Sequence, residues 1–244
     1  MTLKKFRRLI SVAALGCVVG STSVANADQS GAGSTILFAG GDIRENTSYP
    51  YVGVIHHFSG DILADGFLVR ATAYQANYEY DSAAVVGGEV DGRADGADLM
   101  IGYQKVMDSF ALRGYIGIDY EDHDLSPDNI FDSNRGSDTG VKVQVELETD
   151  YASPNYVSLI ASHGSAKDRY WARFRAGRDF SGYVVGPEVL FTGDDEYDEN
   201  RIGAFVTVRK LLPVSLSISA GHSNTDGNRG GNSAYLNFEI SRTF

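Results

Sequence analysis

Hydrophobic and polar residues alternate with a period of two in many segments of this chain. The segment 141–148 reads VKVQVELE, with an aliphatic residue at each odd position and a polar residue at each even position. The last segment, 234–244, reads AYLNFEISRTF and alternates in the same way up to Phe244. Successive side chains of a β-strand point to opposite faces, so this period predicts strands, and no helical period fits it.

About twelve segments of this kind follow one another, each long enough to cross a bilayer when tilted. The first two are faint, so ten or fourteen strands are alternatives to twelve. The predicted strands are 34–42, 49–58, 67–78, 97–106, 110–120, 141–148, 156–163, 170–177, 183–192, 201–209, 214–222 and 234–244.

This pattern predicts an all-β fold, an antiparallel transmembrane β-barrel in an outer membrane. Such barrels expose apolar side chains to lipid, keep polar side chains inside, and connect their strands by alternately long and short loops. The connections after odd-numbered strands are the polar ones, including 79–96 and 121–138, so we expect them outside the cell and both termini in the periplasm. The edge strand of a soluble β-sandwich is the alternative for the segment 234–244.

The N-terminal residues 1–27 are typical of a cleaved signal peptide for Sec-type export. A basic MTLKKFRR start precedes a short apolar run and an Ala25-Asn26-Ala27 site. A lipoprotein site at Cys17, the single cysteine, is the alternative. We expect residues 28–244 to form one barrel domain without disulfides or reactive thiols. The formal net charge of −11 argues against a nucleic-acid partner.

If the apolar faces meet lipid, the opposite faces place many charged side chains in the lumen. Either these charges pair and fill a narrow interior, or they line a conduction pathway. Glu188 lies on a strand flanked by two arginine-bearing strands, so cross-strand ion pairs are expected. Asp98, Asp119 and Glu239 also point inward by this pattern. The predicted lumen network consists of Arg70, Arg113, Lys142, Glu146, Glu148, Arg173, Arg175, Glu188, Arg201 and Arg209.

The residues that could carry chemistry form no recognisable catalytic motif. Neither a G-x-S-x-G nor an H-E-x-x-H sequence occurs. We therefore expect no enzymatic activity and no cofactor, with a lipid hydrolase that uses one of the five histidines as the alternative. These are His56, His57, His123, His163 and His222. Weak candidates for a Ca²⁺ site are Asp194, Asp195, Glu196, Asp198 and Glu199, which could equally form a solvated loop.

Several short segments, in order along the chain, resemble the alphaproteobacterial family of cellulose biosynthesis protein BcsS. The segment HDLSPD with YWAR downstream carries most of this resemblance. The matching segments are 65–70 (DGFLVR), 99–103 (LMIGY), 123–128 (HDLSPD), 170–173 (YWAR), 186–188 (GPE) and 203–206 (GAFV). The resemblance implies an accessory role in making or exporting bacterial cellulose, and it implies no catalytic residues.

The sequence therefore predicts a non-enzymatic outer-membrane barrel that assists cellulose export or anchors the polymer at the cell surface. Expected partners are outer-membrane lipids, and cellulose or other components of its synthesis and export. Tyr80, His123 and Asp124, placed in the two long loops, are the candidate contacts to such a partner. A small general or sugar-selective pore is the alternative, and a lipid-modifying enzyme is the second. The oligomeric state is left open.

Overall fold

The computed structural model describes residues 33–149, 153–209, 214–227 and 231–244. These residues form twelve strands and one short 3-10 helix, Ala166–Asp168. The predicted signal peptide and the alternative lipidation site lie outside the described residues. Among the described residues, no helix is both long and apolar enough to cross a membrane. The strands are β1 (Thr35–Arg44), β2 (Thr47–His57), β3 (Gly66–Asp81), β4 (Glu89–Met107), β5 (Phe110–Ser126), β6 (Gly136–Thr149), β7 (Asn155–Gly164), β8 (Arg169–Asp179), β9 (Tyr183–Asp194), β10 (Tyr197–Val208), β11 (Ser215–Gly227) and β12 (Gly231–Thr243).

The strands close into a single antiparallel barrel. Each strand pairs with its neighbours along the chain, and β1 pairs with β12. In this closing pair Ile36 lies opposite Thr243, and Arg44 lies opposite Tyr235. The predicted antiparallel barrel of twelve strands is thus confirmed. We call the end of the barrel at Ile36 and Thr243 the terminal end, and the opposite end the distal end.

The alternation in the sequence separates an apolar outer face from a polar interior. On β4, Leu99 and Ile101 are 53% and 55% exposed, whereas Asp98 and Gln104 are 5% and 0% exposed. Lipid cannot hydrogen-bond to the backbone, so a sheet that crosses a bilayer must close and leave no open edge. The apolar band on the outer face is therefore the surface that this fold offers to a membrane.

At the distal end, β3, β4 and β5 extend beyond the predicted limits. Because β4 begins at Glu89 and β5 continues to Ser126, the predicted long loops 79–96 and 121–138 are wrong. Most of their residues continue the strands. The connections that remain are 82–88 and 127–135.

The polarity of the two faces is inverted in this extension, which explains the error. Val90 and Ala94 are fully buried inside, whereas Asp91 and Arg93 are exposed on the outside. An outer face that meets water instead of lipid carries polar side chains. The apolar-out pattern used to recognise the strands therefore ends where the lipid-facing band ends, although the period of two continues.

The lengths of the connections also depart from the predicted alternation. Glu45 and Asn46 alone connect β1 to β2, and Asp195 and Glu196 alone connect β9 to β10. Asn46 has a φ of 58°, a left-handed conformation that asparagine tolerates. At the terminal end, where short connections were predicted, the segment 58–65 between β2 and β3 is longer and folds inward.

Candidate functional site

Every residue of the predicted lumen network faces the barrel interior and forms at least one ion pair. Glu188, Arg175 and Glu146 are the most enclosed of the set, at 2%, 3% and 7% exposure. Arg209 follows β10 directly and lies 3.9 Å from Asp179. The interior faces of the strands thus supply a nearly continuous set of paired charges.

Arg175 on β8 is the centre of one group in this network. It pairs with Glu188 on β9 and donates hydrogen bonds to Ser217 and Ser219 on β11, at 3.2 and 3.4 Å. Tyr235 on β12 donates a hydrogen bond of 3.0 Å to the other oxygen of Glu188. The bonds from Arg175 to β11 and from Tyr235 to Glu188 connect strands that are not neighbours in the sheet, so these side chains reach over the intervening strands through the lumen.

Arg201 on β10 is the centre of a second group. It donates to Asp42 on β1 at 2.5 Å and to Glu199 at 2.6 Å, and Arg44 lies 2.9 Å from Glu199. The sequence prediction missed Asp42 and Arg44 as interior residues because β1 was faint and was ended at residue 42. Phe38 and the other even-numbered positions of β1 also face inward. Extending this period of two to residues 42 and 44 would have predicted that Asp42 and Arg44 are interior residues.

A third group joins the interior faces of β3 to β6. Lys142 lies 2.6 Å from Asp98, and Arg70 donates a hydrogen bond of 3.1 Å to Gln144. Arg113 lies 3.3 Å from Glu146. Both charges in each ion pair lie largely inside the barrel. Removing one partner of a buried pair costs about 3–5 kcal/mol because the other charge is left unpaired.

At the distal end, Glu121 connects a cluster of aromatic and basic side chains that the sequence did not predict. Its carboxylate lies 2.6 Å from His123 Nε2, accepts a hydrogen bond of 2.7 Å from Tyr74, and lies 2.6 Å from Arg169. Tyr78 lies 2.7 Å from the other ring nitrogen of His123. Glu121 and His123 lie two and four positions after the inward-facing Asp119 on β5. A longer predicted strand would therefore have placed both side chains inside the barrel.

The candidate loop contacts need correction. Tyr80 and His123 are not in outward-facing loops, because they lie on β3 and β5 and are only 5% and 2% exposed. Tyr80 donates a hydrogen bond of 2.5 Å to Asp132, which anchors the connection 127–135 over the barrel. Asp124 alone of the three is exposed, on the outer face of β5.

The connection 127–135 is tied down at several points. Ser133 donates a hydrogen bond of 2.6 Å to Glu196 in the β9–β10 turn, across the distal mouth. Arg135 donates two hydrogen bonds to Asp128, at 2.5 and 2.9 Å. These bonds hold the pKa of the exposed Asp128 carboxyl below its ordinary value. The segment therefore covers part of the mouth.

The acidic residues considered for Ca²⁺ do not converge on one point. Glu199 faces inward to Arg201, Asp198 accepts a hydrogen bond of 2.7 Å from Tyr170 outside, and Glu196 binds Ser133. Strand alternation sends successive side chains to opposite faces. Asp194 and Asp195 belong to the end of β9 and the turn after it. Within the described ranges, no group of three or more His, Cys, Asp or Glu side chains could hold a metal ion.

The histidines are spread over the barrel. His56 and His57 lie on opposite faces of β2, and His57 contacts the Ser59 hydroxyl at 2.6 Å without a carboxylate beyond it. His163 lies 3.5 Å from Asp168, and His222 is exposed on β11. His123 is enclosed in the Glu121 cluster. The absence of catalysis stays a prediction. Hydroxyl groups lie beside two of the histidines, Ser59 beside His57 and Thr35 beside His56 at 2.9 Å.

The segment 58–65 partly fills the terminal end of the lumen. Ile62 is 5% exposed and packs in a cluster with Ile55, Leu68, Met100 and Tyr115. The fully buried Gln104 on β4 donates hydrogen bonds of 2.7 and 2.8 Å to the carbonyl groups of Ile62 and Ala64. The period of two does not predict this inward fold, because most of the segment lies between two predicted strands.

The Cα traces of three solved structures resemble this barrel. The KdgM porin is 11% identical with a TM-score of 0.53, over 86% of this chain and 99% of that one. An outer membrane channel from Pseudomonas putida F1 is 12% identical with a TM-score of 0.54, over 92% and 100%. LpxR from Salmonella typhimurium is 13% identical with a TM-score of 0.50, over 86% and 100%. At these identities the likeness shows an outer-membrane barrel fold and nothing more.

Sequence comparison is more specific about the family. Among curated proteins, none matches the chain significantly. The family model described as cellulose biosynthesis protein BcsS matches residues 36–244, which is the whole of the described barrel except for its first residues. This agrees with the resemblance of the short segments. The chain belongs to the BcsS family of cellulose biosynthesis proteins.

Proposed function

We propose that this protein is a non-enzymatic component of the outer membrane that assists cellulose export or anchors the polymer at the cell surface. Family membership supports the link to cellulose. The observation that carries the more specific role is the filled interior, in which ion pairs and hydrogen bonds join strands on different walls. A protein of this design holds or organises a partner at the membrane more readily than it conducts a polymer.

The cross-lumen bonds argue against a conduit for a polysaccharide chain. Arg201 reaches from β10 to Asp42 on β1, and Arg169 on β8 donates a hydrogen bond of 3.2 Å to Tyr74 on β3. A polymer passing through would have to separate such pairs. Each separation leaves buried charges without partners, which costs several kcal/mol.

The proposed orientation places both termini in the periplasm and the distal end outside the cell. The connection 127–135 at the distal end supports it, because it is longer than the segment 58–65 at the terminal end and the longer loops of outer-membrane barrels are extracellular. The polar outer faces of β3, β4 and β5 beyond the apolar band fit a part of the barrel that projects from the bilayer. Labelling of a cysteine introduced at Asp124 in intact cells tests this orientation.

The proposal is tested by deleting the encoding gene and measuring cellulose yield and its location on the cell. We expect lower yield or polymer shed into the medium, and complementation with the intact gene should restore both. Unchanged yield and location would refute the role in cellulose production. Complementation with Asp91→Asn, a change on the exposed outer face of β4, provides the matched control for variants in the lumen.

A small pore is the second candidate, supported by the partial exposure of some inward charges. The side chains of Lys142, Glu239 and Glu148 are 18%, 29% and 42% exposed. Water can therefore reach parts of the lumen. Recording from purified refolded protein in planar bilayers tests this function, and the absence of conductance steps would argue against it.

A further inference from the structure

Two apolar side chains, Ile130 and Phe131, form the exposed tip of the connection 127–135. Ile130 is 70% exposed and Phe131 is 76% exposed, more than any other aromatic residue in the part of the chain that the structure describes. The last apolar residue on the outer face of β5 is Tyr120, six positions before the strand ends at Ser126. Six residues of a strand span about 20 Å, so the tip lies well beyond the lipid-facing band and needs another explanation.

Two successive β-turns carry the tip. The N–H of Asp132 donates a hydrogen bond of 3.2 Å to the carbonyl of Asn129, and the N–H of Arg135 donates one of 3.2 Å to the carbonyl of Asp132. Ile130 and Phe131 therefore occupy the two corner positions of the first turn. Such positions usually hold Gly, Pro, Asn, Asp or Ser. The formation of the turn thus does not account for two large apolar residues at its corners.

Tyr80 holds both ends of the first turn. Its hydroxyl accepts a hydrogen bond of 3.1 Å from Asn129 Nδ2 and donates one of 2.5 Å to Asp132. All three side chains are buried, at 5%, 4% and 6% exposure. Asn129 Oδ1 accepts a further bond of 3.2 Å from the Phe131 N–H. Buried polar side chains thus fix the turn, while its two corner side chains remain in water.

The tip is too small to hold a protein partner by itself. A stable protein–protein interface buries about 800 Å² on each partner, whereas one aromatic side chain buries about 150–250 Å². A pyranose ring is similar in size to such a side chain, and in a β-linked glucan it presents C–H groups on both faces and hydroxyl groups at its edges. Because the turn is already fixed, little conformational entropy is lost when a ligand binds to it.

The charges around the tip favour a neutral ligand. On the distal outer faces of β4 and β5, carboxylates outnumber basic side chains, so a polyanion or a second copy of this acidic chain is repelled. At the base of the two turns, Asp128 and Arg135 pair with each other and are both about half-exposed. A carboxylate and a guanidinium in such a pair retain lone pairs and N–H groups for hydroxyl groups. A neutral polysaccharide satisfies these conditions together.

We propose that the tip formed by Ile130 and Phe131 binds a neutral β-linked glucan, with the Phe131 ring stacked on the face of a sugar ring. Asp128 and Arg135 bind the hydroxyl groups at the edge of the same chain. Identification of the polymer as the glucan of cellulose rests on the proposed function, as does the position of the tip outside the cell. The polymer is held outside the barrel, so the filled lumen does not have to open.

Depletion of the protein from solution measures this binding directly. Purified refolded full-length protein in detergent micelles is mixed with increasing amounts of amorphous cellulose, and the protein left in the supernatant is quantified. We expect saturable depletion that an excess of soluble cellohexaose reverses. Starch granules, with α-linkages, and a cross-linked polygalacturonate gel, with negative charges, serve as comparison polymers. Both should deplete the protein less than cellulose does.

Variants at one position separate ring stacking from general hydrophobicity. Phe131→Ala should weaken cellulose binding by about tenfold or more, because most of the apolar contact is lost. Phe131→Leu, which keeps an apolar side chain without a ring, should also weaken it, whereas Phe131→Trp should bind at least as tightly as the wild type. Phe180→Ala changes a 58% exposed phenylalanine in the β8–β9 connection at the terminal end. It is the matched control and should leave binding unchanged. Heat-modifiable migration on gels verifies that each variant forms a barrel.

The outcomes distinguish this site from the proposed function. No saturable depletion by cellulose, equal losses in Phe131→Ala and Phe180→Ala, wild-type binding by Phe131→Leu, or stronger depletion by polygalacturonate would each overturn the site. Loss of surface cellulose in Phe131→Ala cells, while the purified variant binds cellulose normally, would assign the tip to a protein partner and refute glucan binding. Cellulose binding by a protein whose gene deletion leaves cellulose unchanged would refute the cellulose role and retain the site. A cellulose defect on deletion without binding by the purified protein would do the reverse.

Discussion

Tyr235 on β12 donates a hydrogen bond of 3.0 Å to Glu188 on β9, although β10 and β11 separate the two strands in the sheet. Glu188 is also the partner of Arg175. The bond therefore connects the closing strand of the barrel to the middle of its charged interior.

Replacing Tyr235 with Phe removes one hydrogen bond to a buried carboxylate and should lower the free energy of unfolding by about 1.5–3 kcal/mol. Glu188→Gln should cost more, about 3–5 kcal/mol, because it leaves Arg175 without its partner. Urea unfolding in detergent micelles, followed by tryptophan fluorescence, measures both. A double variant less destabilised than the sum is expected, since the two residues interact directly. Equal stability of both single variants and the wild type would contradict the pairing.

Phe244 is 53% exposed beside the seam of the barrel. Its backbone N–H donates to the Thr35 carbonyl at 2.8 Å, and its ring lies 4.6 Å from the guanidinium of Arg242. Replacing Phe244 with Asp adds a second charged side chain, beside Arg242, at the edge of the apolar band on the outer face. It should therefore reduce the amount of heat-modifiable barrel in the outer membrane. Phe244→Tyr keeps an aromatic ring and should assemble normally. Equal barrel levels for the two variants would count against an anchoring role.

Gln104 should control whether the segment 58–65 stays folded into the terminal end. Gln104→Ala leaves the carbonyl groups of Ile62 and Ala64 without their donor, so we expect faster proteolysis at this segment and increased conductance in planar bilayers. Gln75→Ala, on the outer face of β3, is the matched control and should change neither. A Gln104→Ala protein with wild-type proteolysis would show that the apolar packing of Ile62 alone holds the segment.

Asp65, at the end of that segment, should make its attachment sensitive to acid. Its carboxylate accepts hydrogen bonds from Lys105 and from the Val106 N–H, and these lower its pKa from the ordinary 3.8. A depressed pKa means that the attachment is fully present above pH 3.8 and is lost as the pH falls through the lower value in the folded protein. Hydrogen exchange of the Val106 amide should accelerate in that window. In Asp65→Asn the acceleration should be absent.

The sequence was informative wherever lipid imposed one polarity on one face. On β6 the alternation of valines with polar residues needed no knowledge of tertiary structure, because the outer residues face hydrocarbon and the inner ones do not. The same pattern identified Arg173, Arg175 and Glu188 as interior residues. Beyond the apolar band this constraint is absent, so the distal parts of β4 and β5 were taken for loops.

Pairing across the lumen was beyond the reach of sequence patterns. The contact between Arg169 and Glu121 joins strands that are not neighbours, and it depends on the diameter of the barrel and the tilt of its strands. The inward fold of the segment 58–65 depends likewise on Gln104, more than one strand away along the chain. Local periodicity specifies which face a side chain occupies, but not which partner it meets there.

The seam in which Ile36 lies opposite Thr243 has a consequence for the order of events in biogenesis. The partner of β1 is the last of the described strands, so the most sequence-distant contacts are also the ones that complete the sheet. Contacts of such separation form slowly, and until they form, β1 and β12 each have an open edge that can pair with other chains. The unassembled chain can therefore pair with other chains through these edges, and a product truncated before β12 has no route to this closed, lipid-compatible state.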